Sequence, residues 1–177
     1  MVTPIDSRIR LFLGDITSLD CDVIVTAAND ALCGGGGVDG AVHDAAGPEL
    51  VRASMALAPC PAGDAKITNG FDLNARFVIH AVGPIFHNLD TDSTTLTNAY
   101  DSSLSLAADH KLVSIAFPCI STGAFGFPAD PACEIAIKTV VRWMRSNDLP
   151  QLVTFCCFQP DDHARYEERL IELGLLS

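Results

Sequence analysis

The chain has 177 residues, of which 49% are hydrophobic, and a formal net charge of −11. Its length and apolar content suit one domain with a full core and exclude a disordered tail, while the acidic balance disfavours direct nucleic-acid binding, which takes many Lys and Arg contacts to phosphate. No run approaches the roughly 18 apolar residues needed to span a bilayer, and the opening MVTPIDSRIR lacks an apolar stretch followed by a cleavage site, so the expectation is a cytoplasmic protein with no membrane partner. The seven cysteines, at 21, 33, 60, 119, 133, 156 and 157, are odd in number and lie mostly inside apolar runs; buried free thiols in a reducing compartment fit this better than disulfides.

In chain order, RIRLFLG (8–14) alternates and ends in Gly14, and DVIVTAAN (22–29) carries a β-branched run into Asn29; both read as strands. VDGAVHDAAG (38–47) has helical composition with Gly47 and Pro48 as a stop, and ELVRASMALA (49–58) continues it by a turn or two. AKIT (65–68) and RFVIHAVG (76–83) are the next strands, followed by a polar loop from His87 to Asp92. Leu96, Tyr100, Leu104 and Ala107 recur at helical spacing between Thr94 and His110. LVSIAFPCI (112–120) is a nearly continuous apolar run, the pattern of a central strand buried on both faces, and a Gly-rich turn follows it. Pro131 to Arg145 reads as a helix, LVTFCCF (152–158) as the last strand, and DDHARYEERLIELG (161–174) as a closing helix with two acids in its first turn. The order β-β-α-β-β-α-β-α-β-α predicts an α/β fold, a three-layer α/β/α sandwich around a mixed sheet, formed by a single domain over 1–177.

Two glycine-rich loops, 34–40 and 121–127, follow strands and so belong at the carboxyl edge of the sheet, where such folds bind ligands. No Lys or Arg occurs between Arg10 and Arg52 or between Lys111 and Lys138, so neither loop has a cation of its own. Phosphate held there is held by backbone N–H groups and helix N-termini, and two loops suit a pyrophosphate. GGGGVDG puts Val-Asp where a Walker A loop needs Lys-Ser/Thr, which excludes that motif. Gly35, Gly37 and Gly40 satisfy G-x-G-x-x-G, but a dinucleotide fingerprint follows its strand directly, and here Thr26 to Cys33 intervene.

GDIT (14–17), AAN (27–29), GGGGVDGAVHDAAG (34–47), CPAGDAKIT (60–68), FVIHAVGP (77–84) and FPCISTGAFGFP (117–128) together resemble the successive motifs of macrodomains, in order and over essentially the whole chain. The likeness is greatest to the MacroD-type branch, which includes bacterial O-acetyl-ADP-ribose deacetylases. It implies an ADP-ribose ligand and hydrolysis of groups attached to its distal ribose, with O-acetyl-ADP-ribose and mono-ADP-ribosylated proteins as partners. By the same resemblance Asp15 accepts from the adenine amino group with Ile16 beside it. Gly34, Gly35, Gly36, Gly37 and Val38 wrap the distal ribose and its phosphate. Ser121, Thr122, Gly123, Ala124, Phe125, Gly126 and Phe127 cradle the diphosphate from the other side. Asn29 and Asp39 meet the distal ribose as the catalytic pair, and water is the nucleophile with no cofactor. The chain departs from the family at Thr26, where the first Asn of Asn-Ala-Ala-Asn is usual, at Asp44, often Arg, and at Phe86, often Trp.

Each of these residues has a plainer reading beside the functional one. Asp39 could cap a helix, Asn29 and Asp15 could be turn residues, and His43, four residues after Asp39 on the same helix face, could be a structural donor rather than an acid–base partner. Cys33 reads as filler for want of a His partner. No C-x-x-C or His-x-His spacing composes a zinc site, so no catalytic metal is expected. A reader module that binds ADP-ribose without turnover and a regulatory protein of RNA metabolism are the alternatives to an enzyme.

Overall fold

The computed structural model describes residues 3–177. Its six strands make one mixed sheet in the order β1 (Ile9–Leu13), β6 (Leu152–Cys157), β5 (Ser114–Phe117), β2 (Val23–Ala27), β4 (Phe77–Ala81) and β3 (Ala65–Asn69). Neighbouring strands run parallel except β3, which pairs antiparallel with β4 at one edge.

The period-two alternation of the strands sorts their side chains onto two faces. On one face Val23, Val25, Ile79, Ile115, Phe117, Val153 and Phe155 pack with the apolar stripes of α3 (Asp90–Asp109), α4 (Ala129–Ser146) and α5 (Pro160–Glu172). On the other, Ile24, Val78, Ala116 and Cys156 pack with Val42 and Ala46 of α1 (Gly37–Ala46) and Leu50 of α2 (Pro48–Met55). This is the three-layer α/β/α sandwich expected from the element order, and Cys156 and Cys157 do lie on opposite faces.

Boundaries differ where capping outweighs pattern. The loop expected from His87 to Asp92 is cut short because α3 begins at Asp90; the Asp92 carboxylate accepts from the backbone N–H groups of His87 and Leu89 and fixes the helix start. The long apolar run 112–120 yields a strand of only four residues, after which Pro118 ends the pairing. The helix expected from Pro131 starts at Ala129, just after Pro128 at its N-cap.

The strands β2 and β5 are sheet neighbours, yet the helices that follow them leave to opposite faces, α1 to one and α4 to the other. That divergence opens a crevice at the carboxyl ends of the two strands. Both glycine-rich loops sit at its lips.

Candidate active site

A cleft of about 710 Å³ occupies this crevice, a size suited to a ligand of nucleotide dimensions. Asp15, Ile16, Asn29, Gly35, Gly36, Gly37, Val38 and Asp39 line it from the β1 and β2 side, and Ser121, Thr122, Gly123, Ala124 and Phe125 line it from the β5 side. Gly34, Gly126 and Phe127 do not reach the wall. The Gly34 carbonyl accepts from Asn29, Gly126 closes a turn onto Gly123, and Phe127 is buried against Phe86.

Among the described residues no Lys or Arg lines the cleft, and the charged ones that do are Asp15, Asp39 and Asp162. What it offers an anion is backbone. The N–H groups of Gly37, Val38 and Asp39 open α1 and those of Thr122 to Phe125 lie in the second loop; none has a hydrogen-bond acceptor among the described residues. The Ser121 hydroxyl donates to Pro84 O and that of Thr122 to Cys119 O, so both hydroxyls hold the loop rather than face a ligand, and Ser121 takes a left-handed φ of 67° to do so. Three glycines of the first loop are dictated by local geometry, the first being Gly34 at φ +81°. Gly37 begins the helix at φ +58°, and a Cβ on Gly40 would stand 2.7 Å from Gly35 O.

Asp39 lies in the first turn of α1 but does not cap it: the helix start, with Gly36 at the N-cap, receives no side-chain capping bond. The carboxylate turns inward instead. Its Oδ1 accepts from the Thr26 hydroxyl at 2.8 Å and lies 3.6 Å from His43 Nε2. Asp39 is 3% exposed. Burial raises its pKa above the ordinary carboxylate value, against the opposing pull of the Thr26 hydroxyl and of His43. A Cβ placed on Gly35 would be 3.7 Å from Asp39 Oδ2 and 3.8 Å from Asn29 Nδ2, so the two polar side chains converge on that glycine. Asn29 also organises its loop: Nδ2 donates to Gly34 O at 2.9 Å and Oδ1 accepts from Cys33 N–H. Asp15 caps the short 3₁₀ turn Ile16–Ser18, one oxygen accepting from both the N–H and the hydroxyl of Thr17.

Several wall residues escaped the sequence reading. Phe158, 72% exposed, and Cys156 line the cleft beside Asp15, because β6 pairs with β1 and ends at the same edge. Cys119 lines it from the β5 loop. Only the sheet order reveals these; the signal in sequence was the general one, that residues just past a strand end face the crevice. Beneath Asp39 the structure also groups residues far apart in sequence. Thr26 and His80 are register partners on β2 and β4 and occupy positions of the α1 face where alternation predicts apolar side chains, yet both are fully buried. Asp39, His43 and His80 thereby form a cluster of potential metal ligands that motif spacing did not predict.

A three-layer domain with a backbone-lined anion cleft at its switch point, and one buried acid in that cleft, defines the class to which the comparisons add a family. The model of the Macro domain matches residues 25–136. The O-acetyl-ADP-ribose deacetylase of Enterobacter cloacae subsp. cloacae is 46% identical over 172 residues, 94% of this chain and 96% of that protein. ADP-ribose glycohydrolase MACROD1 of Bos taurus is 46% identical over 169 residues, 94% of this chain and 52% of that protein. The crystal structure of the Trypanosoma brucei macrodomain in complex with ADP-ribose aligns with a TM-score of 0.87 at 40% identity, covering 92% of this chain and 69% of that one. The chain belongs to the Macro domain family.

Proposed function

We propose that this protein is a hydrolase that binds ADP-ribose and cleaves esters at its distal ribose, with O-acetyl-ADP-ribose and proteins carrying mono-ADP-ribose on Asp or Glu as substrates. The observation that carries the reading is Asp39: a buried carboxylate, not engaged in helix capping, that converges with Asn29 on a glycine of the first of two cation-free loops that line one cleft. The relatives named as a deacetylase and a glycohydrolase support the same reaction class.

In this reading the diphosphate lies between the N–H groups at the start of α1 and those of the second loop, and the adenine lies toward Asp15, Ile16 and the exposed ring of Phe158. The distal ribose then rests against Asn29 and Asp39. Asp39 orients a water and draws its proton, which a pKa raised by burial favours in a base. The water oxygen bonds to the acyl carbon, negative charge on the acyl oxygen is met by backbone donors of the loops, and the bond from that carbon to the ribose oxygen breaks. The ribose oxygen takes back a proton, leaving ADP-ribose and a free carboxylic acid. Water is the only co-reactant, and no catalytic metal is invoked. The seven free thiols, four of them buried, support a reducing, cytoplasmic setting.

The test is to incubate the purified chain, in excess EDTA, with O-acetyl-ADP-ribose and with a protein mono-ADP-ribosylated on acidic residues, side by side. Release of ADP-ribose from at least one is expected. Tight ADP-ribose binding with no turnover of either substrate would make the protein a reader instead.

A further inference from the structure

The polar cluster under the cleft holds more donor capacity than ester hydrolysis uses. Asp39, His43 and His80 each offer one ligand atom, and these lie within 4.8 Å of one another. Asp39 Oδ1 and His43 Nε2 are 3.6 Å apart, close to the roughly 3.4 Å edge of a tetrahedron built from metal bonds of about 2.0–2.2 Å. The widest separation in the cluster is longer than that edge, so one side chain turns inward on binding.

His80 is set up as a ligand by its neighbours. The Thr68 hydroxyl donates to Asn69 O at 3.1 Å, so its oxygen accepts from His80 Nε2–H at 2.9 Å. In that arrangement the lone pair lies on Nδ1, which has no partner although the residue is fully buried. A ring N–H held by a hydrogen-bond acceptor is the outer support common to metal-ligating histidines. His43 Nδ1 is also buried without a partner, so the contact with Asp39 is its ring's one polar engagement. Among the described residues no Lys or Arg lines the cleft to repel a cation.

We propose that Asp39, His43 and His80 bind one divalent transition-metal ion of the zinc class, and that this ion inhibits the enzyme by taking Asp39 as a ligand. Two imidazoles and one carboxylate select such an ion over Mg²⁺ or Ca²⁺, which prefer all-oxygen sites. Of the three ligands, Asp39 lines the cleft. Binding is independent of the proposed hydrolysis; inhibition rests on it.

The experiment titrates Zn²⁺ into the chain in a Cys33→Ser background, which removes the exposed thiol as a competitor, and repeats it with His80→Gln and with Thr68→Val. One ion per chain is expected, weakened at least tenfold by His80→Gln and about tenfold by Thr68→Val. Equal zinc affinity in all three proteins would overturn the site. In the parent background, NMR of the histidine rings gives a reading that needs no folded variant. Zn²⁺ shifts the His43 and His80 ring signals and Mg²⁺ does not, and unmoved signals at saturating Zn²⁺ would also overturn it. Hydrolysis, measured for each protein against its own metal-free rate, should fall with Zn²⁺ in the parent and resist it in His80→Gln. Bound zinc with undiminished hydrolysis would overturn the inhibitory role, whereas no hydrolysis even in EDTA would count against the proposed function and leave the titration to decide the site.

Discussion

At the scale of single residues, the informative feature is a substitution the family pattern made conspicuous. Thr26 stands where macrodomains usually carry Asn, and its hydroxyl donates to the Asp39 carboxylate at 2.8 Å. A strand-end threonine has one free donor, and here it is spent on the buried acid. Thr26→Val keeps the side-chain shape and removes that donor. Turnover should fall roughly tenfold, the kinetic equivalent of about 1.4 kcal/mol for a charge-assisted hydrogen bond, with ADP-ribose affinity within about threefold of the parent. An unchanged rate would make Thr26 a spectator. The glycine run and the acid at its end were legible in sequence because Gly is tolerated in such numbers only at close approaches of backbone. The i,i+4 spacing already placed His43 beside Asp39, but that the carboxylate turns to Thr26 rather than to the helix N-terminus was not legible, since an acid in a first turn has the same sequence signature whether or not it caps.

At the scale of elements, the strands and helices followed from periodicity, while their ends followed from contacts that periodicity does not encode. Asp92 moved the start of α3 back to Asp90 through backbone bonds to His87 and Leu89. Arg8 is the counterpart at the opposite end of a helix. Read in sequence as the first residue of a strand, it is in fact 4% exposed, with its guanidinium within 2.9–3.3 Å of the carbonyl oxygens of Met144, Asn147, Asp148, Pro150 and Gln151. It therefore ties the C-terminal end of α4 and the following loop to the start of β1, with positive charge where the helix dipole is negative. Lysine has the charge but not the planar fork. Arg8→Lys should cost about 2 kcal/mol of stability, a fall in Tm of roughly 4–8 °C in thermal melts, with ADP-ribose affinity preserved in the folded protein. A Tm equal to the parent's would show that those carbonyls are satisfied without the fork.

At the scale of the whole molecule, the proposed binding mode has an acidic protein hold an anionic ligand with backbone. The absence of cations near either loop was visible in the sequence; that β2 and β5 are neighbours, bringing the loops to opposite lips of one crevice, depended on strand order, which no local pattern states. A backbone cradle releases few counterions, so ADP-ribose affinity should change less than about threefold between 50 and 200 mM salt, in contrast to the steep losses of binding sites built on Lys and Arg. A steep loss in calorimetry would contradict the cradle. The same division of labour assigns binding to the loops and chemistry to Asp39, and it is tested most directly on Asp39→Ala, with Tm, ADP-ribose affinity and hydrolysis measured on one preparation. The account predicts turnover lower by about 100-fold or more, as for loss of a positioned acid–base group, with ADP-ribose affinity changed by only about 1 kcal/mol. Intact turnover in a folded Asp39→Ala protein would contradict it.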